Sequence, residues 1–149
     1  MGFARLPAGI VFLDDPSGLR AEQLEGFWVG WPEPPTPAVH LRHLRGSDVA
    51  IVALDPASGR VVGFVTAITD GVLAAFVPTL EVLPAWQGQG IGTELVRRLL
   101  ARLADLYSID LVCDEDLMPF YERHGLWRLP AAAGSREPAA IRAANAAEP

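Results

Sequence analysis

The chain has 149 residues, half of them hydrophobic and a fifth charged, so it is long and apolar enough to bury a core, and we predict one domain over residues 1–149. All twelve basic residues are arginine, and the absence of lysine excludes P-loop nucleotide triphosphatases, protein kinases and Schiff-base enzymes, which each need one. A formal charge of −6 argues against nucleic-acid binding, which relies on cationic side chains that displace counterions.

Two features of the sequence predict where the protein resides. The one cysteine, Cys113, has no partner for a disulfide within the chain, which fits a reducing compartment. The apolar stretch near the amino terminus is too short for a signal peptide, and no window reaches the ~18 consecutive apolar residues of a membrane-spanning helix. We therefore expect a cytoplasmic protein without a membrane anchor.

The first third of the chain predicts one strand and two helical segments. Residues 10–13 form an apolar run closed by two aspartates and a proline, which is typical of a strand followed by a turn. Apolar residues then recur at roughly helical spacing over 19–28, until the prolines between 32 and 37 end any helix. Residues 38–46 predict one or two further helical turns, with Gly46 as the stop.

The middle of the chain predicts an antiparallel meander. Residues 50–54, 61–68 and 72–82 are rich in β-branched side chains and are joined by short turn sequences. Pro78 lies inside the third segment, where it has no N–H to donate to a neighbouring strand. It therefore predicts a bulge, or a neighbour that splays away.

The remainder predicts a strand, a long helix and a second strand, followed by a shorter helix. Leucine and isoleucine recur at helical spacing over 90–106, and residues 109–113 read as a buried strand parallel to the one before the helix. A helix over 116–124 is followed by an extended segment at 126–129. The Ala- and Pro-rich tail, 131–149, has two interpretations: a short strand near Ile141 or a frayed end.

A glycine-rich turn between strand and helix predicts an anion site. Residues 80–93 read LEVLPAWQGQGIGT, and their three alternating glycines remove Cβ atoms where a ligand must approach the backbone. The free amides and positive dipole end of the helix favour a phosphate or pyrophosphate. A dinucleotide-binding fold would place G-x-G-x-x-G directly after the strand, whereas here position 93 is Thr and other residues intervene, so that fold is disfavoured.

The turn resembles the acetyl-CoA signature of the GNAT acyltransferase superfamily, Gln/Arg-x-x-Gly-x-Gly/Ala, through Gln87, Gly90 and Gly92. Downstream, FYERHG at 120–125 is similar to the family's F-Y-E-x-x-G-F pattern. The similarity covers about residues 49–129, the expected cofactor-binding core. It implies an α/β (α+β) fold: a mixed, mostly antiparallel sheet of six or seven strands, with helices on both faces and splayed central strands.

The resemblance also implies an activity, the transfer of an acetyl group from acetyl-CoA to a primary amine by direct attack, without a metal. Tyr121 matches the tyrosine that protonates the departing CoA thiolate. Backbone groups of the turn would hold the pyrophosphate, and two strand residues would pair with the pantetheine arm; the set is Leu80, Val82, Gln87, Gly88, Gln89, Gly90, Ile91, Gly92 and Thr93. The acceptor would be a small-molecule or peptide amine. Homodimers are frequent in the family, so a homodimer is one expectation.

Two departures from the family pattern leave the function open. Asp114 stands where many members carry Asn, and Phe76 stands where a glutamate base is often found, so no base is identified. Glu81 is the nearest carboxylate, and we expect it to be a solvated surface acid. The alternatives are a non-catalytic acyl-CoA-binding or sensing module and a small interaction domain without a ligand.

Four other side chains have competing interpretations. His40 and His43 lie three residues apart, but no third ligand is spaced near them, so we expect surface histidines rather than a metal site. Trp28 and Trp31 lie where the family places its acceptor-binding loop, and either acceptor binding or packing explains them.

Overall fold

The computed structural model describes residues 5–134 and 137–147. Part of the amino-terminal stretch considered for a signal peptide, and part of the tail, lie outside the described residues. Five strands form one sheet in the order β1-β2-β3-β4-β5. Their bounds are Val11–Leu13 for β1, Val49–Asp55 for β2, Arg60–Thr69 for β3, Ala74–Val82 for β4 and Ser108–Leu111 for β5.

The sheet is mixed and mostly antiparallel, as predicted. Strands β1 to β4 pair antiparallel with their neighbours, and β5 pairs parallel with β4. The α/β class of the sheet is therefore confirmed, with five strands in the described residues instead of the six or seven expected. The segment 126–129 forms no strand, and Trp127 and Leu129 are exposed, because no neighbouring strand offers them hydrogen bonds.

Four α-helices accompany the sheet in the described residues, and short 3-10 turns join several elements. The helices are α1 Pro37–Gly46, α2 Ile91–Arg102, α3 Met118–Glu122 and α4 Pro138–Ala146. Helix α1 agrees with the prediction, α2 ends four residues before the predicted 106, and a 3-10 turn, Glu115–Leu117, precedes α3. The last helix replaces the strand or frayed end considered for the tail, because alanines favour a helix and Pro138 suits its first turn.

The helix predicted over 19–28 is wrong, since only a single 3-10 turn forms there, Ala21–Leu24. Gly26 and Trp28 both have positive φ, 92° and 66°, which no right-handed helix contains. The apolar side chains nevertheless bury themselves: Leu24 and Phe27 are 2% and 7% exposed. Their spacing reflects contact with the sheet and not a helix.

Helices α1 and α2 pack on opposite faces of the sheet, which confirms helices on both faces. At Gly63 on β3, an added Cβ would lie 3.1 Å from side-chain atoms of Ile91 and Leu95, both on α2. The next residue, Phe64, points the other way, with its ring centroid 4.3 Å from that of His40 on α1. Side chains alternate along a strand, so the glycine allows α2 to lie close to one face, while Phe64 fills the other.

Strands β4 and β5 separate halfway along β4. Their paired residues run from Ala74 with Ser108 to Val77 with Leu111, although β4 continues to Val82. Against β3, two steps from Thr66 to Ile68 correspond to three steps on β4, so β4 holds one extra residue beside Pro78. The bulge and the splayed neighbour predicted from Pro78 are both present, and they leave part of β4 with an open edge.

Candidate functional site

The glycine-rich turn lies beside the open edge of β4 and leads into α2. Gly88 and Gly90 have φ of 73° and 85°, a conformation that side chains other than glycine rarely adopt. Gly92 differs, because an added Cβ there would meet Phe120 and Val82 at an ordinary 3.7 Å. The backbone conformation therefore favours glycine at 88 and 90, whereas at 92 a small side chain would make only ordinary contacts.

The turn presents backbone donors at the start of α2. The first intrahelical hydrogen bond runs from the Glu94 N–H to the Gly90 carbonyl, 3.0 Å, so the amides of Ile91, Gly92 and Thr93 precede the helical ladder. Together with the helix dipole, these amides favour a negatively charged group. A pyrophosphate fits this cradle in charge.

Two glutamines stabilise the turn with their side chains. Gln87 donates from Nε2 to the Val82 carbonyl at 2.9 Å, and Gln89 donates from Nε2 to the Ala85 carbonyl at 3.1 Å. The predicted backbone role of these glutamines is thus accompanied by a structural role for their side chains. The Val82 carbonyl is already occupied by Gln87.

The backbone of Leu80 and Val82 points to the open edge. Leu83 donates its N–H to the Val62 carbonyl on β3 at 2.9 Å, and hydrogen-bonded pairs recur every second residue in an antiparallel ladder. Leu80 and Val82 lie between the residues that hydrogen-bond to β3, so they direct their backbone groups to the opposite edge, from which β5 has already separated. Of these groups, the Val82 carbonyl accepts the Gln87 side chain. An extended ligand could pair with β4 here as an added strand does.

Tyr121 lies near the start of α2 without being held by a hydrogen bond through its hydroxyl. It is 7% exposed on α3, next to Phe120, which packs at Gly92. Among the described residues, none forms a hydrogen bond with the hydroxyl. Burial, together with the nearby Cys113 thiol, raises the pKa of Tyr121 to about 12, so the phenol keeps its proton at neutral pH and remains a proton donor.

The two acceptor-loop candidates differ in exposure. Trp28 is buried, and its Nε1 has no hydrogen-bond partner, whereas Trp31 is 47% exposed. Their rings meet edge to face with centroids 5.1 Å apart. Packing therefore accounts for Trp28, and Trp31 remains available on the surface above it.

Glu81 is not the solvated acid expected from the sequence. Its carboxylate accepts hydrogen bonds from the backbone N–H groups of Trp28 at 2.9 Å and Val29 at 3.2 Å. These bonds hold Trp28 in its positive-φ conformation and attach the loop to β4. Because both carboxylate oxygens are engaged, Glu81 positions the loop.

The expectation of surface histidines is also wrong. His40 is fully buried among Phe27, Trp28 and Phe64, and His43 is half-buried, with Nε2 3.1 Å from the Thr79 hydroxyl. Burial, and then the neighbouring His43, lowers the pKa of His40 to about 3; burial also lowers the pKa of His43. Packing against the sheet decides this, since the spacing of α1 alone does not show which face is covered.

Three arginines lie near the turn, and the sequence motifs do not single out the third of them, Arg123. Arg97 and Arg98 both pair with Glu94, at 2.6 and 2.7 Å, and hold the pKa of that carboxyl at about 2. Arg123, not singled out by any motif, lies over the Phe120 ring at 5.9 Å, and it forms no ion pair with a carboxylate of the described residues. Its guanidinium is therefore not held by a carboxylate of the described residues and is available to a phosphate.

Comparison with known proteins assigns this arrangement to a family. The model of the "Acetyltransferase (GNAT) family" matches residues 17–126, a range that contains the turn, the open edge and Tyr121. The chain belongs to the GNAT family. An acetyltransferase of that family from Streptococcus pneumoniae TIGR4 has a solved structure with a TM-score of 0.68 and 28% identity, covering 86% of this chain and 99% of that one.

Two further relatives bear on the family assignment. A crystal structure from Deinococcus radiodurans R1 is 48% identical, with a TM-score of 0.83, and covers 87% of this chain and 90% of that one. The Arabidopsis thaliana protein "GCN5-related N-acetyltransferase 3, chloroplastic" is 41% identical over 76 residues, which is 50% of this chain and 32% of that protein. The chain thus matches about a third of that relative's length.

The described residues show neither a metal-binding cluster nor a membrane-spanning helix. The residues that the structure describes contain no cluster of three or more His, Cys, Asp or Glu able to hold a metal ion. Among the helices of that same part of the chain, none is long and apolar enough to cross a membrane.

Proposed function

We propose that the protein is an N-acetyltransferase that moves an acetyl group from acetyl-CoA to a primary amine. The observation that carries this proposal is the open edge of β4 beside a glycine-rich helix start. The helix start suits the pyrophosphate, and the open edge suits the amide-containing pantetheine arm. One extended molecule carrying both groups would place its thioester where β4 and β5 separate.

In this reaction the acceptor nitrogen attacks the thioester carbonyl, and the carbon–sulfur bond breaks. The departing thiolate takes a proton from the Tyr121 hydroxyl, which is protonated at neutral pH, since burial raises a pKa that is already high to about 12. Backbone N–H groups at the open edge would polarise the carbonyl. Arg123 would add a positive charge near the phosphates.

The acceptor site is proposed on the α1 face of the sheet, beside the loop that carries Trp31. The exposed indole can hold a cationic or apolar acceptor against its face. A small-molecule or peptide amine fits this description. We also propose a cytoplasmic location, because the single cysteine fits a reducing compartment.

The first test is the melting temperature with and without acetyl-CoA. A ligand at ~100 times its dissociation constant adds about 2.7 kcal/mol to stability, which corresponds to a shift of about 5–10 °C in a chain of this size. Gly90→Glu places a carboxylate at the helix start and should abolish the shift. Gly71→Glu is the matched control, because Gly71 also has positive φ but lies in the β3–β4 hairpin.

The second test separates an enzyme from a binding module. CoA release is followed with acetyl-CoA and a panel of primary amines: spermidine, tyramine, glucosamine and a peptide with a free amino terminus. Release that depends on an amine and falls in Tyr121→Phe supports the enzyme. Binding without release from any amine, unchanged by Tyr121→Phe, would favour the sensing module, and the absence of any acetyl-CoA shift would contradict both.

A further inference from the structure

A chain of three polar side chains crosses the sheet face beneath α1. The Thr79 hydroxyl on β4 contacts the Thr66 hydroxyl on β3, and His43 on α1 reaches both, with Nε2 3.1 Å from Thr79 and 3.5 Å from Thr66. Thr66 is fully buried, whereas Thr79 and His43 are half-buried. The three side chains therefore form a hydrogen-bonded row that leads from buried Thr66 to the more accessible Thr79 and His43.

Thr79, the accessible member of the row, lies where β5 separates from β4. Thr79 is two residues beyond Val77, the last β4 residue paired with β5, and it follows the bulge at Pro78 directly. Its side chain shares the α1 face with Glu81, which holds the Trp28 loop. Thr79 is thus the first hydroxyl on the α1 face after β5 separates.

We propose that His43 accepts, through the Thr79 hydroxyl, the proton that the acceptor amine loses during acetyl transfer. This inference rests on the proposed function. His43 would supply the base that the sequence lacks at Phe76, while Glu81 holds the loop, since each of its carboxylate oxygens accepts a backbone N–H.

Each proton that moves in this reaction has a donor and an acceptor among the amine, the CoA sulfur, Thr79, His43 and Tyr121. The amine nitrogen forms a bond to the acetyl carbon and gives its proton to Thr79 Oγ, while Thr79 passes its own proton to His43 Nε2. The carbon–sulfur bond breaks, and the CoA sulfur takes the proton of Tyr121. Protonated His43 and deprotonated Tyr121 return to their starting states by exchange with solvent after the products leave.

The surroundings of His43 favour the neutral imidazole that this role needs. His40 on the same helix has its ring centroid 6.3 Å away, and burial keeps it uncharged. Trp28 from the loop and Phe64 from β3 contribute rings at 5.8 and 6.3 Å. The nearest carboxylate on β4, Glu81, is directed to the loop amides. Burial lowers the pKa of His43 below its usual 6.5, so the ring is a free base at neutral pH.

The first experiment needs no acceptor. In protein labelled with ¹⁵N-histidine, two-dimensional NMR shows which ring nitrogen of His43 carries the proton, with His43→Gln to assign the signal. We expect the proton on Nδ1, the lone pair of Nε2 facing Thr79, and a titration midpoint below 6.5. A proton on Nε2 at neutral pH would overturn the proposal, because His43 would then donate to Thr79 and could not accept from it.

The second experiment follows kcat/KM against pH with an amine from the panel, calculated on the concentration of unprotonated amine so that titration of the acceptor itself does not contribute to the profile. In the unaltered protein, the rate should rise with pH through the His43 midpoint. His43→Gln should lower it about 100-fold or more and remove that rise. Thr79→Val should resemble His43→Gln, whereas Thr79→Ser, which keeps the hydroxyl, should retain most of the rate. A pH rise that persists in His43→Gln, or equal rates for Thr79→Val and Thr79→Ser, would overturn the proposal.

Acetyl-CoA binding separates this inference from the proposed function. His43→Gln and Thr79→Val should keep the acetyl-CoA-induced shift in melting temperature, because neither side chain lies at the turn. If the unaltered protein shows no shift, the proposed function itself has failed. If the shift is intact while the NMR or pH result is contrary, only the role of His43 has failed.

Discussion

His40 allows the burial argument to be tested without knowledge of the substrate. The side chain is 0% exposed, and neither ring nitrogen has a hydrogen-bond partner in the described residues. Burial lowers its pKa to about 3 in the folded state, against about 6.5 in the unfolded chain. The folded state therefore binds fewer protons between these values, so the stability contributed by neutral His40 is complete above about pH 6.5 and is lost as the pH falls towards about 3.

The magnitude follows from the two pKa values. Each pH unit between them changes the free energy of unfolding by about 1.4 kcal/mol. Lowering the pH from 7.5 to 5 crosses about 1.5 of those units, so His40 alone should cost the folded protein about 2 kcal/mol. That loss is a substantial part of the stability of a typical small domain.

The assay is urea unfolding at pH 7.5 and pH 5 of the unaltered protein, His40→Gln and His40→Leu. Carboxylates and His43 are present in all three, so the difference between proteins isolates His40. The unaltered protein should lose about 2 kcal/mol more than His40→Gln between the two pH values. At pH 7.5, His40→Leu should be more stable than the unaltered protein by about 1–2 kcal/mol, because it removes two unpaired buried nitrogens.

Equal losses in the unaltered protein and His40→Gln would refute the reasoning. They would mean that His40 binds a proton in the folded state as readily as in the unfolded chain. A His40→Leu protein less stable than His40→Gln at pH 7.5 would contradict the cost assigned to the unpaired nitrogens.

Three further predictions concern the loop, the sheet and the proposed proton donor. Glu81→Gln should lower the free energy of unfolding by about 1–2 kcal/mol in urea, since it weakens two charge-assisted bonds; the exposed Glu22→Gln should change it by less than about 0.5 kcal/mol, and equal effects would contradict the role of Glu81. Gly63→Ala should cost about 1–3 kcal/mol in the same assay, because its Cβ would lie 3.1 Å from α2 side chains; an unchanged midpoint would show that α2 moves away freely. Tyr121→Phe should lower kcat for acetyl transfer about 100-fold while leaving the acetyl-CoA-induced melting shift intact, and an unchanged kcat would exclude the phenol as the proton donor.

The amino-acid sequence by itself determined the elements that local patterns encode. The meander follows from β-branched runs and turn residues, and α2 follows from apolar spacing, because each pattern depends on neighbours a few residues apart. Pro78 predicted the bulge and the open edge, since a missing N–H disturbs a ladder whatever surrounds it. The glycine-rich turn and the FYERHG segment likewise indicated the GNAT family from short, contiguous motifs.

Only the tertiary structure decided what lies beneath α1. His43, Thr66 and Thr79 belong to three elements, and no local pattern links them until α1 packs on the sheet. The tertiary structure also buries His40 and places the Glu81 carboxylate, expected to be solvated, against the loop amides. The helix expected over 19–28 failed for a related reason: its apolar residues are held by contact with the sheet, which tolerates positive φ where a helix does not. Contacts between distant segments, which spacing along the chain does not encode, therefore decide the structure of the sheet face beneath α1.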